Sequence, residues 1–505
     1  MEITKSRYGF SNNALYVGSI IQGGWERNIG SRITAFLLAM VRIIAVVLLV
    51  ATLPGCVLLD PTNPYADMPQ RALSKNAPGL RPTTQPVEGP ITLAKAIEIS
   101  LANNPGIAAA RYDVDAARAQ RHMAIGAVLP RAHLVGNYSH YLDGQRLGPP
   151  HYQGEPRYFS EDIFGSDVVI TMPLFTGGRL ISEILAAKLL QAASEHRLAR
   201  NREELVFNVC SVFYSILSQG HIIESLEFSQ RTLKEHLKRI VELIQAQKAA
   251  KVDQLRTEVR IADLKQRLVR ERNVLAIQRR VLTNLLGVRQ EGPDPVAVTG
   301  ELAIGETIAP SVQASLVEAF DQRSDYLAAR AALEAQAKRV DAARAEYWPM
   351  LNFQGAYGWR WAGNPTDQPA GSESSEDIGQ VRTVLDIPIF EGGRISAKIR
   401  RERANLDAAR ERLRKLELQI RLDVETAILN LASSNERLKA TEKSIEQAEE
   451  SLRIEFEKYD FAKGSITDVL DAQSALLDSQ MNYYLALADY NTALAQFRLA
   501  VGENQ

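Results

Sequence analysis

Met172-Pro173-Leu174-Phe175-Thr176-Gly177-Gly178-Arg179 returns 215 positions later as Ile387-Pro388-Ile389-Phe390-Glu391-Gly392-Gly393-Arg394. Other landmarks keep step with it. Leu285-Leu286-Gly287-Val288 closes one half of the chain and Leu499-Ala500-Val501-Gly502 closes the other, the glycines again 215 apart. Val128-Leu129-Pro130 is answered by Tyr347-Trp348-Pro349 at a spacing of 219. A period this long excludes a solenoid and implies two copies of one large unit. Each unit reads as helix, strand, long loop, strand, then a very long helical stretch.

Composition narrows the class. The 505 residues carry 24% charged side chains at a formal net charge of −1. Nucleic acid wants a basic surface, and none is offered here. Low aromatic content with abundant Ala, Leu, Glu, Arg and Gln favours helix over sheet. Pro61, Pro64, Pro69, Pro78, Pro82, Pro86 and Pro90 make the stretch before the first repeat an extended tether. A second linker, Arg289 to Pro310, contains Pro293, Pro295 and three glycines and joins the repeats.

The N-terminal segment reads as an export signal. Arg42 precedes the apolar run Ile43 to Val50, the length of a signal-peptide core and too short to span a bilayer. Leu53-Pro54-Gly55-Cys56 follows and resembles the lipobox at which bacterial lipoprotein signals are cleaved. An ordinary secretory signal with an incidental cysteine is the alternative. Residues 1–39 fit no signal pattern, which makes Met40 a second candidate start. With Cys56 lipidated, Cys210 has no disulfide partner and is expected as a core thiol beside Val206, Val209 and Phe213.

The helical stretches carry coiled-coil spacing. From Leu406, positions Ala409, Leu413, Leu416, Ile420, Val424, Ala427, Leu431, Ser434, Leu438, Thr441, Ile445, Ala448 and Leu452 alternate steps of three and four. Helices are expected from Ile395 to about Tyr459 and from Thr467 to Leu499. In the first repeat they are expected from Leu180 to Gln245 and from Val252 to Leu286. The longer of these extend roughly 100 Å at 1.5 Å per residue, more than a compact domain needs.

Strands follow from period two. Leu351, Phe353, Gly355, Tyr357, Trp359 and Trp361 share one face, and Asn352, Gln354, Gly358 and Arg360 the other. Val381, Thr383, Leu385 and Ile387 alternate with Gln380, Arg382, Val384 and Asp386 in the same way, and the pattern recurs over 134–139 and 167–172. Apolar-out, polar-in strands of about ten residues with aromatics near one end fit a transmembrane β-barrel, and they also fit a soluble sandwich. The strand count favours the barrel. Lipid does not tolerate open sheet edges, so four strands have to be pooled, and three chains give twelve.

Together, the two repeats, four strands, long helices and paired Pro-Leu-Phe-x-Gly-Gly-Arg-type junctions resemble the TolC-like outer-membrane efflux factors. Tyr459-Asp460-Phe461-Ala462-Lys463-Gly464-Ser465-Ile466-Thr467-Asp468-Val469-Leu470-Asp471-Ala472-Gln473 is similar to that family's helix-turn-helix tip. The resemblance covers about Ile91 to Gly502, and the lipobox fits the family's lipoprotein branch. It implies a mainly α homotrimer with a membrane barrel of twelve strands, four from each chain, continued by a coiled-coil α-helical tunnel. It also implies an outer-membrane location with lipid anchor and inserted barrel, extending into the periplasm. The implied role is the passive exit duct of a tripartite efflux or type I secretion system, with a periplasmic adaptor (membrane fusion) protein and an inner-membrane pump as partners. The family usually has glycine where Ala462 stands, which passes the turn to Gly464.

The expected organisation is a signal with lipobox over 1–55, a lipidated tether over 56–90, repeat one over 91–288, a linker over 289–310, repeat two over 311–502, and a tail over 503–505. Cys56 is the lipidation candidate. Pro173, Gly177, Gly178, Arg179, Pro388, Gly392, Gly393 and Arg394 are expected to shape the strand-to-helix junctions, glycine supplying backbone freedom there. The Gly-Gly-Arg pairs lack the surroundings of a phosphate loop. The seven histidines lack zinc spacing and no nucleophile-base-acid set is recognisable, so neither enzyme activity, cofactor nor metal is expected.

Asp468 and Asp471 are the constellation to test. Three apart, they share one face of the helix that opens after the tip. Helix-start chemistry explains acids there, with Thr467 or Asp468 as cap. A compatible reading makes them, under threefold symmetry, a ring of six carboxylates that concentrates cations. By resemblance they match the acidic constriction at the periplasmic entrance, with Asp253 and Arg256 at the equivalent places in repeat one. Arg256 is a candidate to close that entrance by an ion pair with a carboxylate. The competing class is a non-transporting coiled-coil lipoprotein or a periplasmic adaptor. An adaptor needs lipoyl-like and β-barrel segments rich in β-branched residues, which are missing.

Overall fold

The computed structural model describes residues 89–149, 153, 159–288, 296–304, 308–363, 374–461 and 463–503. The signal, Cys56, nearly all of the tether, Ala462 and parts of the linker lie outside the described residues.

The helical unit is built twice to the same measure. In the first copy come α1 (Leu93–Asn103), α2 (Pro105–Gly126), α3 (Arg179–Gln245) and α4 (Lys251–Leu285), of 11, 22, 67 and 35 residues. In the second, α5 (Val312–Gln322), α6 (Ser324–Ala345), α7 (Arg394–Asp460) and α8 (Ile466–Val501) have 11, 22, 67 and 36. The four long helices begin and end within about two residues of the sequence expectation. No proline interrupts them, and an apolar seam runs along each.

That seam is what holds them. In α7 every seam position from Ala409 to Leu452 is buried or half-buried, with Ile420, Val424 and Ala427 fully so. Ile420, Val424 and Ala427 pack with Leu316 and Ala319 of α5 and with Phe497 and Val501 of α8. The matching cluster of repeat one joins Leu205, Val209, Phe213 and Ile216 of α3 to Leu282 and Leu286. Each such buried side chain contributes roughly 1.5–3 kcal/mol relative to exposure. Cys210 sits beside Val206 and Ala495, and burial pushes its thiol up to about 11, so at neutral pH it is a small apolar core group.

The other unit is a single antiparallel sheet in the order β1-β2-β3-β4: β1 (Arg131–Arg146), β2 (Phe159–Phe175), β3 (Met350–Ala362) and β4 (Ser375–Asp386). The first hairpin is longer than the sequence alternation indicated, because Gly136, Gly165 and polar residues interrupt the pattern without breaking the ladder as far as His140, and pairing resumes after a register shift at Gln145. Register is duplicated too. Arg131 opposes Thr171 in the first hairpin, and Met350 opposes Asp386 in the second, the same pair displaced by 219 and 215.

The two faces differ in chemistry. Leu134, Tyr138, Val168, Ile170, Tyr357, Trp359, Trp361, Val381 and Leu385 all stand exposed on one side. On the other, Arg360 clamps Asp167 with two bonds of 2.7 and 2.9 Å, and Arg382 donates to Gln354 at 2.7 Å. Glycine makes room for the clamp. A Cβ at Gly358 would lie 2.3 Å from the Asp167 carboxylate, and one at Gly165 would lie 2.2 Å from the Asn137 amide oxygen.

Candidate functional site

Both junctions use one backbone device. Gly177 and Gly178 have φ of 63° and 85°, and Gly392 and Gly393 have φ of 57° and 82°. Two successive residues in the left-handed region suit glycine, since a Cβ there costs roughly 1–2 kcal/mol per residue. The turn closes identically in each repeat. The Arg179 N–H donates to the Thr176 carbonyl at 3.0 Å, and the Arg394 N–H to the Glu391 carbonyl at 3.0 Å. Pro173 sits where the β2–β3 register slips by one residue, a bulge that needs no N–H from proline. Pro388 follows the end of β4. Arg179 pairs with Glu183 at 3.0 Å, and Arg394 with Glu391 at 3.0 Å and Glu346 at 3.5 Å.

The closing glycines also match. Gly287 and Gly502, at φ 67° and 82°, end the two helical runs, each pressed against the start of a short helix. Asn104 caps α2 and its amide donates to the Leu285 carbonyl at 3.0 Å. At the equivalent place Arg323 donates to the Ala500 carbonyl at 3.3 Å. Arg323 is 2% exposed and also binds Asp325 at 2.7 Å and Asp423 at 3.1 Å. Burial would raise the Asp325 carboxyl, but hydrogen bonding and charge from Arg323 outweigh it and hold the group below the usual range.

At the tip, α7 ends at Asp460 and α8 opens at Ile466. The Gly464 N–H donates back to the Lys458 carbonyl at 3.1 Å, and a Cβ on Gly464 would lie 3.0 Å from that of Lys458. The cap is Ser465, in place of the expected Thr467 or Asp468. Its hydroxyl accepts from the Asp468 N–H, and the Asp468 carboxylate accepts from the Ser465 N–H, each at 3.3 Å. The Ser-x-x-Asp spacing of such a capping box was present in the sequence. Helix-start chemistry therefore accounts for Asp468. Asp471 lies exposed one turn on and has no such task. In repeat one Asp253 repeats half of the device, accepting from the Ala250 N–H at 3.3 Å.

Among the described residues Arg256 meets no carboxylate. Its guanidinium donates to the Thr467 hydroxyl at 2.8 Å. Further along the same helix face Arg260 donates to the Ser474 hydroxyl, and Arg267 approaches Asp478 at 3.7 Å. The first turns of α4 thus touch α8 through arginines. Against α3, by contrast, the start of α8 packs apolar side chains, Ile466 and Val469 on Ile240. Sequence reading missed Arg260 and Arg267, although their four- and eleven-residue offsets from Arg256 put them on one helical face. It also missed His236, buried between the rings of Phe456 and Tyr459 at 5.0 and 5.4 Å.

Comparison with known proteins fits this architecture. Residues 96–288 and 316–503 match the model of the outer membrane efflux protein family. The chain is 22% identical over 412 residues to outer membrane protein TolC of Vibrio cholerae, spanning 81% of this chain and 90% of that protein. It is 26% identical over 424 residues to outer membrane protein OprJ of Pseudomonas aeruginosa, spanning 80% and 83%. Among solved structures, CusC superposes with a TM-score of 0.69 at 18% identity, covering 82% of this chain and 92% of that one.

Proposed function

The chain belongs to the outer membrane efflux protein family and is an outer-membrane exit duct of efflux or type I secretion, and from that premise we propose how its residues do the work. Three copies pool their four strands into a twelve-stranded barrel whose apolar face meets lipid. The observation that carries this is the sheet itself, with an apolar face exposed and two free edges at β1 and β4. Lipid penalises unsatisfied backbone groups by several kcal/mol each, so the edges must find partners. The polar face, with Arg360, Asp167 and Arg382, then lines water.

Cys56 carries the lipid anchor, and the helical hairpins α3–α4 and α7–α8 form the wall of a periplasmic passage that meets an adaptor and an inner-membrane pump. Asp468 and Asp471 of three copies gather six carboxylates at its entrance. Focused fields in such a constriction reach several kT and favour cations. Opening separates α4 from α8, whose arginine contacts to the Thr467 and Ser474 hydroxyls are exchanged for contacts with water.

Single-channel recording of Asp468→Asn/Asp471→Asn tests the entrance. The variant should assemble normally, lose cation preference and lose block by multivalent cations. Unchanged selectivity and unchanged block would leave Asp468 as part of the helix cap alone and remove both residues from the entrance. Replacing Cys56 by Ala should abolish fatty-acid labelling while leaving the channel assembled; labelling that persists would remove the anchor from Cys56.

A further inference from the structure

The sheet contains one pairing that a single copy cannot complete, and the repeat specifies it. First strands of the hairpins are related by 219 positions and second strands by 215, and the registers obey both offsets from Arg131↔Thr171 to His140↔Asp162, the β1–β2 register shifting only beyond His140. The remaining contact inside the chain, β2 on β3, places Thr171 opposite Gln354, Ile170 opposite Gly355 and Val169 opposite Ala356. Moving β2 to β4 and β3 to β1 by the same offsets generates the missing pair.

We propose that β4 of one copy pairs antiparallel with β1 of the next in the register Asp386 opposite Val135, Leu385 opposite Gly136 and Val384 opposite Asn137. This rests on the trimeric reading given above. Two independent observations fit the register. Leu385 and Gly136 then lie on the apolar face, and Val384 and Asn137 on the polar face, as each already does in its own hairpin. A shift by one residue would turn every side chain to the wrong side.

The second observation is where β4 stops. β2 continues through Met172, Pro173 and Phe175 because Phe353, Asn352 and Leu351 of β3 hold it. β4 ends at Asp386, and the equivalent residues Ile387 to Phe390 are left bare, with Ile389 94% and Phe390 88% exposed. In the proposed register Ile387 and Pro388 meet Leu134 and His133 of the next copy. This segment, with Ile387, Ile389 and Phe390 exposed, becomes the end of a paired strand. Gly392, whose Cβ direction is open in the single copy, takes against Leu129 of the next copy the place that Gly177 takes against Trp348.

Disulfide trapping tests the register. Paired Cα atoms in an antiparallel ladder lie about 4.5 or 5.5 Å apart, both within disulfide reach. Asn137→Cys/Val384→Cys and Gly136→Cys/Leu385→Cys should give covalent ladders ending at trimer under oxidation. Gly136 has room for a cysteine, since its Cβ would meet only the Gly165 carbonyl at 4.0 Å. Asn137→Cys/Arg382→Cys and Asn137→Cys/Asp386→Cys keep the face but shift by two, and should link several-fold less. Better linking by a shifted pair would overturn the register while leaving the trimer standing. A monomeric mass for the detergent-extracted parent, measured by light scattering, would overturn the trimer and the register together.

Discussion

Met172–Phe175 and Ile387–Phe390 are near copies in sequence, yet the first is paired with β3 while the second belongs to no strand, and Leu174 and Phe175 are 50% and 48% exposed against 94% and 88% for Ile389 and Phe390. In the first junction Gly177 is fitted so closely to the chain that a Cβ would lie 2.5 Å from that of Trp348 and 2.8 Å from the Ala345 carbonyl. In the second, a Cβ on Gly392 would meet nothing within 4 Å. Both glycines hold positive φ, so the local turn is the same and only the surroundings differ. A duplicated unit therefore acts as its own reference. Wherever one copy is packed and its twin is open, the twin marks a surface that another molecule finishes. Burial of a motif in one repeat says more about the assembly than exposure of a lone segment does.

The comparison breaks most readily at the glycines. Gly177→Ala adds a steric overlap costing roughly 1–3 kcal/mol to a backbone cost of about 1–2 kcal/mol. It should be the most damaging of the four junction substitutions in thermal melts of the detergent-extracted protein. Gly178→Ala and Gly393→Ala carry the backbone cost alone. Gly392→Ala sorts the account. It should fall with Gly177→Ala when the melt reports the trimer, and with Gly393→Ala if that junction stays open.

The caps of the two short helices give the next largest contrast. Arg323→Ala strands Asp325 and Asp423 and should cost about 3 kcal/mol, the scale of a broken buried ion pair. Asn104→Ala, at the same place in repeat one, should cost about 1 kcal/mol as a lost cap. Chemical denaturation of both variants measures the difference. The same contrast appears in pH dependence. The folded Asp325 carboxyl lies below its unfolded value, so its stabilisation is full above the ordinary carboxylate range and fades as pH falls through the folded value. Asn104 does not titrate. The acid limb of stability should therefore weaken in Arg323→Ala and persist in Asn104→Ala.

A smaller effect is expected at the tip. Burial is the main cause that lowers the His236 imidazole, with Arg239 adding to it and Asp460 opposing. The folded tip thus binds fewer protons than the unfolded one, and stability is lost as pH falls below about 6.5, the free value. Tyr459, packed on the same ring, stays neutral in this window. The protection of amides at the α3 and α7 ends, corrected for the intrinsic pH dependence of exchange, should fall at mildly acidic pH, and His236→Phe should flatten that response. An unchanged response would remove His236 as its source.

Much of this was legible in the chain. The seam from Ala409 to Leu452 gave α7 its buried line because a three-four period leaves few alternatives once proline is missing. The Gly-Gly-Arg pairs located both strand-to-helix turns, since consecutive positive φ is a local demand. Strand limits in the first hairpin were harder, because pairing resumes at Gln145 opposite Ser160 after a register shift, regardless of side-chain alternation. Arg256 was harder still. Its position follows from the repeat, but the choice of the Thr467 hydroxyl over a carboxylate depends on how two helices 211 residues apart come together. No local pattern encodes that. Arg323 escaped notice for the same reason, as its partner Asp423 lies 100 residues away.

Amide hydrogen exchange at Ile387 and Phe390 in the detergent-extracted protein addresses the central contrast most directly. These amides belong to no ladder in the single copy, whereas β2 through Phe175 is held by β3. If the second junction is completed by another copy, exchange at these sites should slow to the level of Met172 and Phe175, and quicken when the trimer is dissociated. Free exchange in the intact trimer, at the rate of an open coil, would contradict the account.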